Sequence, residues 1–132
     1  MGEHEVVIVG AVRTPFSRFD GAMRDIPSVQ LGAMVIKEMI NRVRIFPGEV
    51  EKTYYGACIP AETALEFDVP GRQATLPAGL PPESYSFSLD RACCSSMTTL
   101  RLGYRSIKSG DVEGALSVGS DTGHKALPQT SA

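Results

Sequence analysis

Apolar and polar positions along the chain switch between a period of two and a period near 3.6, and the switches mark out strand–helix units. Val6-Val7-Ile8-Val9 is an unbroken β-branched run, the pattern of a central parallel strand buried on both faces. It predicts a strand over Glu5 to Val12. Gly10 and Pro15 then lead into a loop through Gly21. Ile36, Met39, Ile40 and Val43 recur at helical spacing, with Gln30, Lys37, Asn41 and Arg44 on the opposite side. Ser28 is placed to cap that helix, which runs to about Val43, and Pro47-Gly48 closes the unit. Lys52 to Cys58, with Tyr54 and Tyr55, predicts a second strand, followed by a Pro-containing loop from Ile59 to Val69. Pro70 to Ala78 reads as a short helix, since proline suits a first turn. Pro77 cuts its last turn and Gly79 suits the cap. Ser84 to Leu89 predicts a third strand. Cys94 to Ser109 predicts a helix with Met97, Leu100, Tyr104 and Ile107 on one stripe, stopped by Gly110-Asp111. Ala115 to Val118 predicts a fourth strand, and from Gly119 to Ala132 the pattern is polar and aperiodic.

Strand–helix repeated three times and then a strand demands an α/β fold with a mostly parallel sheet and right-handed crossovers. The 132 residues suit one domain and contain no internal repeat or low-complexity segment. The aperiodic stretch from Asp121 to Ala132 leads us to expect a chain that stops inside a loop of a longer protein.

Composition narrows the function classes. Apolar residues make up 42% and charged residues 21%, ordinary values for a globular chain. A net charge of −2 argues against binding to nucleic acid or an anionic membrane through charge. No apolar run reaches the length of a membrane span, and the acidic start Met1-Gly2-Glu3-His4-Glu5 is unlike a signal peptide. A cytoplasmic location is the expectation. Three cysteines, with Cys93 and Cys94 adjacent, suit a reducing compartment better than a disulfide framework.

Chemistry concentrates in Leu89-Asp90-Arg91-Ala92-Cys93-Cys94-Ser95-Ser96-Met97, which joins the third strand to the helix after it. Sites in open parallel sheets gather at the carboxyl ends of strands. A helix start offers unpaired N–H groups and partial positive charge. Both favour thiolate, the nucleophilic form of cysteine, and the same N–H groups can steady an oxyanion. Placement alone does not decide the matter, because a cysteine beside a helix start is commonly a small buried hydrophobe. Cys58, Cys93, Cys94, His4 and His124 show no metal-ligand spacing. Gly10-Ala11-Val12-Arg13 lacks the glycine spacing of a phosphate loop.

Five stretches, in one order, carry a family resemblance. The Cys93 segment is similar to the thiolase nucleophile motif, Asn-x-x-Cys followed by Gly or Ala and then Ser-Gly. Val7-Ile8-Val9-Gly10-Ala11-Val12-Arg13-Thr14-Pro15-Phe16 resembles the thiolase opening strand and its Arg-Thr-Pro-Phe turn. Leu31-Gly32-Ala33 opens a helix as in that family. Gly71-Arg72-Gln73-Ala74 followed by Ala78-Gly79-Leu80-Pro81 resembles its Ala-Arg-Gln-Ala…Ala-Gly-Leu-Pro. Ile107-Lys108-Ser109-Gly110-Asp111, followed by Gly119-Ser120-Asp121-Thr122, resembles its Ile-x-x-Gly-x stretch and Gly-Gly-Met-Glu-Ser. The departures are Asp90 for Asn, Cys94 for Gly or Ala, Ser96 for Gly and Asp121 for Glu. Ala92-Cys93-Cys94-Ser95-Ser96 also leans toward the Ala-Cys-Ser-Ser-Ser of ketoacyl synthases, which share the fold.

The resemblance implies that residues 1–132 are a partial thiolase N-terminal domain, with the C-terminal domain absent and four of five strands present. It implies a sheet in the order 3-2-1-4-5 with helices on both faces. It implies an acyl-CoA C-acyltransferase that cleaves or forms 3-ketoacyl-CoA through an acyl-cysteine at Cys93, with coenzyme A and acyl-CoA as substrates and no bound cofactor or metal. The full-length form is expected to be a homodimer or tetramer, paired through the strand Ser84 to Leu89. The family's activating His in Gly-His-Pro and its proton-moving Cys in Cys-x-Gly have no counterpart here, since His4 and His124 stand in other contexts. Two alternatives stay open: a ketosynthase-like condensing enzyme, and an inactive thiolase fragment that needs a partner chain.

Overall fold

β1, Lys52–Gly56, is the strand around which the rest is arranged, and Thr53, Tyr54, Tyr55 and Gly56 are all buried. Such burial on both faces requires a neighbour on either side and a layer above and below. The computed structural model, which describes residues 5–58 and 69–122, supplies all four. β2 (Tyr85–Leu89) and β3 (Ala115–Gly119) flank β1 in the order β2-β1-β3. Both pair parallel to it, Lys52 opposite Tyr85 and Ala115, Gly56 opposite Leu89 and Gly119. Three helices complete the units: α1 (Ser28–Val43), α2 (Pro70–Thr75) and α3 (Ser95–Lys108). The parallel α/β architecture agrees with the pattern in the sequence. None of these helices is long and apolar enough to cross a membrane.

Alternation along β1 sends Thr53 and Tyr55 to one face and Tyr54 and Gly56 to the other. Tyr55 points into α1 and α2. Its hydroxyl donates to the Ser28 carbonyl at 3.3 Å, and the ring lies so close to Gly32 that a β-carbon there would collide with it. The apolar core forms on this face, from Ile36, Ile40, Val50, Tyr55, Ala74, Ala78 and Leu80. On the opposite face Tyr54 meets α3, its hydroxyl 2.5 Å from Ser106 Oγ. Helices therefore cover both faces, as expected.

The first predicted strand is corrected. Glu5 to Val12 forms no strand, and Val7, Ile8 and Val9 are 64%, 75% and 70% exposed. β1 and β3 pair directly, so nothing lies between them and the implied order 3-2-1-4 does not occur. A β-branched run is only a candidate; a strand exists when another strand hydrogen-bonds to it. Both neighbours of β1 are taken by β2 and β3. Between the N-terminal stretch and β3 lies a cavity of about 530 Å³, lined by Val12 to Gly21 on one side and Leu116 to Thr122 on the other. The stretch instead lies along α1, where Gly10 sits so close that a β-carbon would come 2.7 Å from Val43 Cγ2.

Smaller corrections concern helix ends. Ser28 is the first residue of α1 and not its cap; Pro27 occupies the cap. α2 ends at Thr75, ahead of Pro77, and Gly79 takes φ +95° in the turn that follows. α3 buries Ser95, Thr99, Gly103 and Ser106, while Met97, Leu100 and Tyr104 face outward. The loop predicted over Ile59 to Val69 lies outside the described residues up to its last position, as do His4 and His124.

Candidate active site

The turn carrying Cys93 is built from its neighbours' side chains. β2 ends at Leu89, whose carbonyl accepts the Ala57 N–H at 3.1 Å. Asp90 Oδ1 accepts the Ala92 N–H at 2.7 Å, closing a side-chain turn of the kind Asp and Asn favour. Ala92 takes φ +48°, a left-handed conformation uncommon for a residue with a β-carbon. The backbone then tightens, with the Cys94 N–H bonded to the Arg91 carbonyl at 3.1 Å and the Ser95 N–H to the Ala92 carbonyl at 3.0 Å. Ser95 locks it. Its hydroxyl accepts the Arg91 N–H at 2.8 Å and donates to the Ala92 carbonyl at 2.8 Å. Ser95 is 3% exposed because β1 presses on it: a β-carbon on Gly56 would sit 2.8 Å from the Ser95 carbonyl carbon.

Cys94 is the N-cap of α3 and makes no side-chain cap bond, so Cys93 stands one residue outside the helix. It is exposed, at the end where the first-turn amides point. The sequence expectation for its position, at the junction of the third strand and the next helix, therefore agrees with the structure. The turn holds a thiol in the open on a rigid support, the arrangement an attacking nucleophile needs.

The carboxyl ends of all three strands meet around this turn. Cys58, two residues past β1, donates its N–H to Asp121 Oδ1 at 2.8 Å. Asp121 lies two residues past β3. The Ser120 N–H reaches the Gly56 carbonyl at 3.1 Å, and Ser120 Oγ donates to the Ser28 carbonyl at 2.6 Å. Burial pushes the Cys58 thiol above the usual thiol range, with Asp121, Cys93 and Asp90 adding to the shift. In the sequence Cys58 is the end of a predicted strand, without metal-ligand spacing to the other cysteines. The available signal was that parallel strands bring their carboxyl ends together, so the residue after each strand is a candidate rim group. Among the described residues no three His, Cys, Asp or Glu side chains are arranged to hold a metal ion.

Comparison with known proteins fits these residues to one family. The family described as thiolase, N-terminal domain, matches residues 6–126. The chain is 34% identical over 122 residues to an acetyl-CoA acetyltransferase of Syntrophomonas wolfei, covering 92% of this chain and 30% of that one. It is 37% identical over 107 residues to a mitochondrial acetyl-CoA acetyltransferase of Danio rerio, covering 81% and 25%. The crystal structure of the Bacillus anthracis acetyl-CoA acetyltransferase superposes with a TM-score of 0.82 at 31% identity, covering 89% of this chain and 29% of that one. The chain thus spans under a third of the length of these relatives.

Proposed function

This chain belongs to the thiolase family, and from that premise we propose that it carries the acyl-accepting half of a thiolase site, with Cys93 as nucleophile. In the cleaving direction the Cys93 thiolate attacks the 3-keto carbon of a 3-ketoacyl-CoA. The bond between carbons 2 and 3 breaks, acetyl-CoA leaves after its carbanion takes a proton, and the acyl group stays on Cys93 as a thioester. The thiol of a second coenzyme A then attacks that thioester and carries the acyl group away. Synthesis is the same path reversed. Thiolate chemistry suits both steps, because the attacking and leaving groups are both sulfur.

The observation that carries this reading is the Cys93 turn itself: an exposed thiol outside a helix start, braced by Asp90 and by Ser95. The proton transfers need a base and an acid, which by resemblance are a His and a Cys from a further part of the polypeptide. The chain alone is therefore proposed to lack turnover, and to need that part supplied. A partner copy is also proposed. Among the described residues β2 is an edge strand, and its Tyr85 and Phe87 are exposed. Edge pairing with a second copy would cover it. The ketosynthase-like alternative has no observation in its favour beyond the Cys-Cys-Ser-Ser run. The cytoplasmic expectation remains part of this proposal.

Limited alkylation tests the nucleophile. Iodoacetamide below one equivalent, followed by peptide mass mapping, is expected to label Cys93 ahead of Cys94 and Cys58, and acetoacetyl-CoA is expected to slow that labelling. Faster labelling of either other cysteine would refute the assignment.

A further inference from the structure

Cys94 is a second thiol beside the proposed nucleophile, at a position where the thiolase motif has Gly or Ala. Cys93 and Cys94 are both exposed and neither is in a disulfide. Cys94 is the N-cap residue of α3, yet its side chain makes no cap bond, so the thiol is not committed to the helix. Its backbone is held from both directions. The Cys94 N–H is bonded to the Arg91 carbonyl at 3.1 Å, and the Cys94 carbonyl accepts the Thr98 N–H at 3.0 Å and the Thr98 hydroxyl at 2.9 Å. The turn therefore presents two exposed thiols on either side of one fixed peptide bond. Among the described residues no third His, Cys, Asp or Glu side chain joins them in a metal-holding group, so the pair does not suit zinc, which takes three or four protein ligands. It suits a ligand that needs only two thiols.

We propose that Cys93 and Cys94 form a two-thiol chelating site for trivalent organic arsenicals, which close over the nucleophile and block it reversibly. The chelate depends only on the two thiols; its effect on acyl transfer rests on Cys93 being the nucleophile proposed above. An arsenic centre that carries one carbon group and one oxygen has two bonds to exchange. Each thiol gives its proton to that oxygen, two As–S bonds replace the bonding to oxygen, and the oxygen leaves as water. No oxidation state changes, so no oxidant or reductant is required. Adjacency makes the second bond intramolecular. Once Cys93 holds the arsenic, Cys94 meets it at an effective concentration of about millimolar. A direct disulfide between the neighbours is disfavoured, because adjacent α-carbons lie about 3.8 Å apart across a trans peptide, short of the roughly 4.4 Å at which ordinary disulfides begin. An arsenic atom between the sulfurs removes the need for them to bond to each other. Cys58 is the poorer partner, being only partly exposed and carried on the segment after β1 rather than on the Cys93 turn.

The test is to titrate the reduced chain with phenylarsine oxide, label the remaining thiols with iodoacetamide and locate the label by peptide mass mapping. The expected result is one arsenic per chain and loss of label at Cys93 and Cys94 together, while Cys58 keeps its label. Dimercaptopropanol should restore both labels, and 2-mercaptoethanol at the same thiol concentration should not. Cys94→Ala removes one arm of the chelate without removing a cap bond, and is expected to weaken binding by about 10²-fold or more. Cys58→Ser should leave binding unchanged. Undiminished binding in Cys94→Ala, or joint protection of Cys58 and Cys93 that Cys58→Ser abolishes, would overturn the inference. So would an adduct that the single thiol removes as readily as the dithiol. Chelation does not require acyl transfer, so the two readings fail separately. A chelate in a protein whose Cys93 accepts no acyl group would refute the function alone, and an acylated Cys93 without the chelate would refute the arsenical site alone.

Discussion

At Thr53 a hydroxyl is buried away from any partner among the described residues. The residue is 0% exposed, and its Oγ1 has no hydrogen-bond partner among the described residues. A buried unsatisfied polar group costs about 1–3 kcal/mol, and valine has the same shape without the hydroxyl. Thr53→Val is therefore expected to stabilise the chain by about 1 kcal/mol, read as a higher urea midpoint. A lower midpoint would mean that the hydroxyl is satisfied. Ser95 is the contrasting case, since its hydroxyl both accepts and donates within the Cys93 turn. Ser95→Ala is expected to cost about 2 kcal/mol, because it leaves the Arg91 N–H without its partner. It should also slow alkylation of Cys93, and an unchanged rate would show that the turn holds itself. The nucleophile was legible in the sequence because its motif is local. Cys58 and Thr53 were not, because their roles depend on residues dozens of positions away that only the strand register brings near.

Elements differ in how openly the sequence states them. α1 was legible in extent, apart from its cap, because Ile36 and Ile40, at helical spacing, are also residues the core buries. α3 was legible in extent but misleading in orientation. Its inward face is Ser95, Thr99, Gly103 and Ser106, small residues at helical spacing that a search for apolar stripes passes over. Glu5 to Val12 was read as a strand from its own residues, yet strand formation is a property of a pair. Lys52 and Asp111 tie β1 to the segment after α3. The hydrogen bond to Asp111 raises the Lys52 pKa against the opposing effect of burial. A raised lysine pKa contributes stability that is complete below the unfolded value of about 10.4 and is lost as pH rises through the higher folded value. The stability difference between the wild type and Lys52→Met is therefore expected to hold at pH 8 and shrink in strong alkali, by chemical denaturation; a difference that grows with pH would reverse the sign. The free edge of β2 gives a second prediction. The Tyr85 N–H and Leu89 carbonyl point toward β1, so the amides of Ser86 and Ser88 point outward. Ser86→Pro is expected to weaken a dimer paired through this edge while sparing the bonds to β1. Unchanged sedimentation of the parent protein would put the interface elsewhere.

For the whole molecule the issue is what one third of a relative's length can do. Among the described residues the sheet has two unpaired edges, at β2 and β3, and Val7, Ile8, Val9, Phe87, Met97 and Leu100 are exposed. Surfaces of this kind favour association. The chain by itself is expected to show no cleavage of acetoacetyl-CoA, since general acid–base groups commonly supply factors of about 10² to 10⁴ and by resemblance those groups lie elsewhere. Turnover by the purified chain that Cys93→Ala abolishes would show it to be sufficient. That Cys93 accepts the acyl group can be tested by trapping the intermediate. The protein, supplied with the remaining part of a thiolase, is mixed with acetyl-CoA, quenched in acid and mapped by mass spectrometry. One acetyl thioester is expected on Cys93, removed by hydroxylamine or by coenzyme A. An acetyl group on Cys94 or Cys58, or none on any cysteine while acetoacetyl-CoA is still being cleaved, would contradict it.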